Sequence, residues 1–467
     1  MHHGSHATLN QTRINTHGLL YHWPGTDSSL KPILLTAHQD VVPVHPDTVG
    51  SWIYPPYSGH YDGTWIWGRG AMDDKSGLVG IMVALEKLIE KGFKPRRGIL
   101  VGLGFDEEIS GLNGARNIAM YIEKHYGKNS VSILIDEGGG IQTFGDFTVA
   151  QVGVAEKGSV NVLVEVVTPG GHSSVPPEHT SIGILASLLV EIEATPYAPE
   201  LTRSSPIYSM AQCFAAHVPY VPSSFRSSVL TSICPAHAST REQRRCDQAL
   251  HQVERALFDA SSDWNRGDEQ QASRFKSLSR TTQAIDLISG GTKANALPEL
   301  ASAVVNHRIR TDRHVANNLQ NAIVSKLIPL TNEYSLALHA FGRANLTTGE
   351  MGMLNLSNAW GSSGLNPAPV TPTEGSEGAA YKLLSGVIRQ TRGAKKTVVS
   401  PAIGGGNTDT RYYWSVTPNI FRYSHIVDED VYNGIHTINE ATRASGFVER
   451  ILFFKNLILT ADDSVDI

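Results

Sequence analysis

Three short apolar runs in the first third of the chain, each followed by polar residues, constrain the fold most strongly. They span residues 32–37 (PILLTA), 98–105 (GILVGLGF) and 131–135 (VSILI). Short runs that are apolar throughout are typical of strands buried on both faces of a parallel sheet. Between the first two, residues 76–91 carry leucine, methionine and isoleucine at helical spacing. The alternation predicts an α/β fold with a mainly parallel sheet.

The pattern changes after residue 156. Residues 159–167 (SVNVLVEVV) and 301–309 alternate apolar and polar side chains, as strands with one exposed face do. Helical patterns follow them, over residues 181–194 and about 313–328. Two strands and two helices of this kind indicate a small α+β domain.

Length and charge bound the class of protein. A chain of 467 residues exceeds what one hydrophobic core usually holds. We therefore predict an α/β domain formed by residues 1–156 and 346–467, with the α+β domain inserted at 157–345. A net charge of −5 gives no basic excess for binding nucleic acid, and no run of 18 apolar residues is present in the sequence to span a membrane.

The cysteines and serines give no sign of nucleophilic catalysis. The three cysteines, Cys213, Cys234 and Cys246, are too few for a disulfide framework and lack zinc-site spacing. The sequence leaves undecided whether two of them form one local disulfide. The sequence contains no G-x-S-x-G elbow for a catalytic serine.

Histidine and acidic residues follow each predicted strand and open the predicted helix. They are His38 and Asp40, then Asp73 and Asp74 at the helix, then Asp106, Glu107 and Glu108, and finally Asp136 and Glu137. Singly, each would be read as a surface residue or a helix cap. At successive ends of parallel strands they meet at one edge of the sheet. Imidazole and carboxylate without thiolate suit zinc, with cobalt or manganese as substitutes, and the number of ligands fits two ions sharing one carboxylate.

Five segments carry a resemblance to a known family. In chain order they read HQDVVPV, WGRGAMDDKSG, FDEEISG, IDEGGG and GIHTINE. They resemble the M20 family of zinc peptidases, and within it the branch of fungal carboxypeptidase S and the N-fatty-acyl-amino-acid synthase/hydrolases. GNTDTRYYW, which begins at Gly406, and NIFRYS also resemble that branch. The likeness runs from about residue 16 to the end of the chain.

The resemblance implies a ligand set for two zinc ions. Asp73 would bridge both ions. His38 and Asp136 would bind one, and Glu108 and His436 the other. The peptide bond after Asp73 is cis in the family.

The resemblance also implies catalytic roles. Glu107 would be the general base for an attacking water, with Glu137 as the next candidate. Asp40 would orient the imidazole of His38. His172, in a turn of the inserted domain, would stabilise the oxyanion.

Substrate and partner are implied in the same way. Asn295 and Arg308 would hold the free carboxylate of a short peptide or N-acyl amino acid, and Gly406 would line the substrate site. The inserted domain would act as a lid and form a homodimer. A vacuolar or secreted location is implied as well, although the first metal histidine comes early in the chain and no signal or anchor is visible in the sequence.

Three functions remain open on the sequence. The first is a zinc carboxypeptidase that cleaves the amide bond next to a C-terminal carboxylate. The second is an N-acyl amino acid amidase or synthase, which needs the same metals and carboxylate clamp. The third is a catalytically inactive metal-binding protein, which loss of a ligand or of Glu107 would favour.

Overall fold

The computed structural model describes residues 8–311, 316–393 and 396–467. The strands are, in chain order, β1 (Asn10–Ile14), β2 (Gly18–Trp23), β3 (Ile33–His38), β4 (His60–Tyr61), β5 (Trp65–Trp67), β6 (Ile99–Gly104), β7 (Ile133–Phe144), β8 (Phe147–Glu156), β9 (Gly158–Val167), β10 (Gly171–His172), β11 (Thr282–Gly290), β12 (Ala296–Leu297), β13 (Leu300–Ile309), β14 (Leu336–Ala340), β15 (Arg343–Thr347), β16 (Gly352–Asn358), β17 (Thr397–Gly404), β18 (Ile420–Val427), β19 (Val431–Tyr432) and β20 (Ala441–Arg443).

The helices are, in chain order, α1 (Lys75–Glu90), α2 (Ala115–Tyr126), α3 (Ser181–Ala194), α4 (Pro206–His217), α5 (Ser223–Ser232), α6 (Thr240–Phe258), α7 (Glu269–Leu278), α8 (Ala316–Glu333), α9 (Ala379–Arg392) and α10 (Ala444–Asp463). The predicted start of α8, at residue 313, lies outside the described residues. No helix in the described parts of the chain is long and apolar enough to cross a membrane.

The first compact unit comprises residues 1–155, 209–221 and 369–467. Its main sheet has the strand order β1-β2-β6-β3-β7-β18-β8-β17, and the central strands β6, β3, β7 and β18 are parallel neighbours. Buried residues of α1, α9 and α10 share one core cluster, and those of α2 belong to another. The predicted α/β fold with a mainly parallel centre is confirmed, and antiparallel strands complete the edges.

A smaller sheet in the same unit has the order β19-β20-β5-β4. Strand β20 pairs antiparallel with β5, so that Ala441 lies opposite Trp67. The two chain segments that contain Asp73 and His436 both leave this sheet, one after β5 and the other between β19 and β20. The small sheet therefore sets the starting points of both segments.

The second unit comprises residues 156–208 and 222–368. Its six-stranded sheet has the order β11-β13-β9-β16-β14-β15, and apolar residues of the sheet share a core with α3 and α8. The unit extends beyond the predicted end at 345, because β16 pairs with β9 inside this sheet. Residues 209–221, which include most of α4, belong to the first unit instead.

The weakly patterned polar stretch from about residue 195 to 285 folds mainly as helices α4 to α7. Helix α6 begins with a capping box in which Ser239 and Glu242 satisfy each other's backbone amides. A disulfide joins Cys234 to Cys246, so the one local bridge left open by the sequence is present. Cys213 is the remaining thiol.

Candidate metal centre and active site

The order of strands in the main sheet brings the predicted site residues to one edge. Strands β6, β3 and β7 are parallel neighbours, so their carboxyl ends lie side by side. His38 ends β3, Glu107 and Glu108 open the short 3-10 helix after β6, and Asp136 lies in β7. Ligand sites in open α/β sheets form outside the carboxyl ends of the strands.

The carboxylate of Asp73 lies between two imidazoles. Its Oδ1 is 2.9 Å from His38 Nε2, and its Oδ2 is 3.0 Å from His436 Nε2. Glu108 Oε2 lies 3.3 Å from the same nitrogen of His436. The peptide bond between Asp73 and Asp74 is cis, and the Asp74 side chain caps α1. Asp73 thus presents one oxygen to each histidine, an arrangement that would suit a carboxylate shared by two metal ions.

The donors at this edge fit a metal ion. Ligand atoms of His38, Asp73 and Glu108 all lie within 4.8 Å of one another, and so do those of His38, Glu107 and Glu137. Imidazole nitrogen and carboxylate oxygen are ligands that zinc accepts. His38 and Asp73 are buried, so the negative charge of Asp73 is held away from water. A divalent cation bound there would neutralise this charge.

Asp136 and Glu137 are placed differently. Glu137 Oε1 lies 3.6 Å from His38 Nε2, whereas the buried Asp136 lies outside both groups of clustered ligand atoms. Successive residues of a strand direct their side chains to opposite faces. The family resemblance implies Asp136 as the ligand and leaves Glu137 only as the next candidate for the base. The sequence signal for Glu137 is its position beside Asp136, and the ligand role of Asp136 stays a prediction.

Asp40 connects His38 to the acidic turn after β6. His38 Nδ1 lies 3.0 Å from the backbone oxygen of Asp40 and 3.3 Å from its Oδ1. The same carboxylate accepts hydrogen bonds from the backbone amides of Glu107 (3.2 Å) and Glu108 (3.0 Å). Contacts of this kind fix the orientation of a ligating imidazole and leave Nε2 for a metal. Asp40 therefore contacts the imidazole of His38, and its orienting role stays a prediction.

Burial and mutual repulsion shift the pKa values of Glu107, Glu108 and Glu137 upward. Burial, with the charges of Asp136 and Glu108, raises the pKa of Glu107 to about 7. Burial also raises the pKa of Glu108, and it raises the pKa of Glu137 well above its ordinary value. For His38, burial alone would lower the pKa, but hydrogen bonds to neighbouring carboxylates raise it. The acids are thus crowded enough that a cation would stabilise them.

The predicted substrate residues of the second unit lie on its sheet and turns. His172 ends the short strand β10, which pairs with β12 so that His172 lies opposite Ala296. The backbone oxygen of Asn295 accepts a hydrogen bond from the amide of Ser173 at 3.3 Å, so His172 and Asn295 are neighbours. Both are exposed, and Arg308, on β13, is partly buried. The pairing of β10 with β12 could not be read from the sequence.

Gly406 lies in the first unit, in the exposed loop after β17. A Cβ built on it meets no atom within 4 Å. The position therefore borders open space, and its predicted place in the substrate site stays a prediction.

Comparison with known proteins gives an independent assignment. The sequence pattern described as Peptidase family M20/M25/M40 matches residues 34–460. Carboxypeptidase S of Saccharomyces cerevisiae is 37% identical over 98% of this chain and 76% of its own length. An N-fatty-acyl-amino acid synthase/hydrolase of Xenopus tropicalis is 32% identical over 95% of this chain and 75% of its own length.

Solved structures agree on the fold. An M20 family metallo-carboxypeptidase from Sulfolobus solfataricus matches with a TM-score of 0.61 and 16% identity, over 97% of this chain and 90% of that one. Human carnosine dipeptidase 1 matches with a TM-score of 0.59 and 15% identity, over 96% of this chain and 83% of that one. At such identities the likeness shows the fold alone. The family pattern and the identity to carboxypeptidase S show that this chain belongs to peptidase family M20/M25/M40, a family of metal-dependent hydrolases.

Proposed function

We propose that this protein is a dinuclear zinc carboxypeptidase that cleaves the amide bond next to a free C-terminal carboxylate. The observation that carries the proposal is the position of the Asp73 carboxylate, 2.9 Å from His38 and 3.0 Å from His436, with Glu108 beside it. His38, Asp73, Glu108, Asp136 and His436 would hold the two ions. When bound, the zinc ions would lower the pKa of water and polarise the scissile carbonyl.

The residues around the metals supply the rest of the chemistry. Glu107 would take a proton from the attacking water and give it to the nitrogen of the leaving amine. His172 would donate a hydrogen bond to the oxyanion of the tetrahedral intermediate. Asp40 would hold the imidazole of His38 in the orientation that ligation needs. The retention of Glu107 and of all five ligand-type residues argues against a catalytically inactive metal-binding protein.

An apolar cavity in the first unit is compatible with the second candidate, hydrolysis of N-acyl amino acids. The cavity has a volume of about 340 Å³, and its lining includes Tyr57, Trp67, Val79 and Phe447. Its lining includes Val41, which follows Asp40 in the sequence, and Gly70 and Ala71, which precede Asp73. Apolar walls of this kind suit an acyl chain or a large apolar side chain.

The test is an activity screen of the zinc-loaded protein. Blocked dipeptides would be compared with long-chain N-acyl amino acids, and each free acid with its C-terminal amide. We expect cleavage of blocked dipeptides with a strong preference for the acid. Faster turnover of the long-chain N-acyl amino acids would instead establish the second candidate. Equal cleavage of acid and amide would overturn both.

Arg308 is expected to select the substrate. Its guanidinium can form a planar, two-bond contact with a carboxylate, which the ammonium of lysine cannot form. Losing a charge-assisted bond costs about 1.5–3 kcal/mol, so Arg308→Ala should reduce the acid-over-amide preference about 10- to 100-fold and keep the metals. Arg308→Lys should not restore the preference. The exposed Arg343, on β15 of the same sheet, provides the matched control, Arg343→Ala. Undiminished discrimination by Arg308→Ala would place the clamp elsewhere.

A homodimer is expected through the edge of the second unit's sheet. Strand β11 is the terminal strand of that sheet, and its Leu287 and Ile288 are 53% and 67% exposed. An exposed apolar edge strand is a ready surface for pairing with a second copy. Light scattering should give twice the chain mass for the wild type and the chain mass for Ile288→Lys. A wild-type monomer at working concentration would refute the dimer and leave the chemistry intact.

The disulfide between Cys234 and Cys246 supports the vacuolar or secreted location. Such bridges persist in oxidising compartments and are rare in the cytosol.

A further inference from the structure

Glu440 is a fully buried carboxylate four residues after His436. Its Oε1 accepts hydrogen bonds from the backbone amides of Met72 (2.9 Å) and Asp73 (3.4 Å). Its Oε2 accepts a hydrogen bond from Arg69 Nη1 at 2.7 Å. One side chain on the His436 segment thus binds three donors on the segment that carries Asp73.

The backbone adds further contacts between the two segments. The amide of Gly68 donates to the backbone oxygen of Glu440 at 2.9 Å, which continues the pairing of β5 with β20. Arg69 Nη1 also donates to the backbone oxygen of Thr437 at 3.2 Å. Arg69 itself is buried. Residues 68–73 and 437–440 are therefore joined through both backbone and side chains.

His436 depends on such contacts for its position. Its side chain is 47% exposed, so core packing does not hold it. Its φ of 60° is left-handed, a conformation that persists when surrounding structure fixes it. A metal site tolerates deviations of only about 0.2 Å in ligand distance. Something other than the histidine's own packing must therefore set its distance from Asp73.

We propose that Glu440, bound to Arg69, is a positioning residue that fixes His436 relative to Asp73 and thereby sets the affinity for the metal ion that these two residues share with Glu108. The proposal rests on the metal centre proposed above. It assigns Glu440 no contact with the metal or the substrate.

The experiment measures zinc affinity by chelator competition and records the absorption spectrum of the cobalt-substituted protein. Glu440→Gln keeps the size of the side chain and one acceptor oxygen but loses the charge that binds Arg69. Loss of such an outer contact typically weakens metal affinity about 10- to 100-fold. We therefore expect the affinity for the ion held by His436 to fall by that factor and the affinity for the other ion to be retained. The cobalt spectrum should change with it.

The matched control is Glu449→Gln. Glu449, which is partly buried, also pairs with an arginine, Arg392 (2.8 Å), and with the buried His425 (3.2 Å), but does not contact either metal-bearing segment in any described hydrogen bond. A purely structural role for Glu440 would lower thermal stability in both variants without selective loss of one ion. Unchanged affinity for both ions in folded Glu440→Gln would overturn the inference.

Two further outcomes are informative. If Glu440→Gln fails to fold, Arg69→Lys replaces it, because lysine keeps the charge but cannot reach Glu440 and Thr437 with one planar group. Arg69→Lys should lower the affinity for the same ion, and wild-type affinity for both ions in this variant would overturn the inference. A wild-type protein that binds no divalent metal would overturn the proposed function itself.

Discussion

Glu107→Gln is expected to lower kcat by about 10²–10⁴-fold while leaving fold and metal content unchanged. The amide preserves the size of the side chain but cannot accept the proton of the attacking water. Glu107 lies within 4.8 Å of ligand atoms of His38 and Glu137, so it is close enough to serve a water held at the metals. Steady-state kinetics and elemental analysis of the same preparation check both halves of the prediction.

Glu137→Gln is the matched comparison for the general base. Its carboxylate occupies the same group of ligand atoms, and it is the next candidate for the role. Near-normal kcat in Glu107→Gln together with an inactive, metal-replete Glu137→Gln would transfer the role to Glu137. Loss of metal in Glu137→Gln would instead identify Glu137 as a ligand.

Asp73→Ala is expected to remove both zinc ions, reducing the metal content from about two per chain to none. Among the described residues, Asp73 alone has a carboxylate within 3.0 Å of both His38 and His436, so we expect no neighbouring carboxylate to replace its two contacts. Activity should fall to background. Because a ligand that binds only the folded state stabilises it, a chelator should lower the Tm of the wild type and leave that of Asp73→Ala unchanged.

Asp136→Ala provides the comparison within the ligand set. It should lose the ion bound with His38 and keep the other, whereas Asp73→Ala loses both. An Asp73→Ala protein that still holds one ion per chain would show that Asp73 is not a bridge. An Asp136→Ala protein with full metal content would favour Glu137, which lies 3.6 Å from His38 Nε2, as the ligand.

The relatives named above do not decide between peptide and N-acyl amino acid substrates. Carboxypeptidase S of Saccharomyces cerevisiae and the synthase/hydrolase of Xenopus tropicalis are 37% and 32% identical to this chain, and both match nearly all of it. The proposed metal centre and Glu107 would serve either reaction. The activity screen proposed above, of blocked dipeptides against long-chain N-acyl amino acids, decides between them.

Local sequence patterns predicted the central strands of the first unit. Apolar runs at 32–37, 98–105 and 131–135 predicted β3, β6 and the start of β7, because strands buried on both faces need apolar residues throughout. Their parallel order then placed His38, Glu107 and Asp136 at one edge. The sequence predicted the α+β class of the inserted unit but not the residue at which the unit ends. Strand β16 belongs to this unit because it pairs with β9, a long-range contact that no local pattern signals.

What the sequence by itself determined is the set of chemical groups: the histidines, the acids and their order at strand ends, which with the family resemblance indicate a metal-dependent hydrolase. Only the tertiary structure decided which of Asp136 and Glu137 faces His38, because that depends on strand twist and side-chain direction rather than on residue type. It also decided that Glu440, at the end of GIHTINE, binds the segment of Asp73, more than 350 residues away in the chain. Contacts of such separation arise from the pairing of β5 with β20, and no local pattern encodes them.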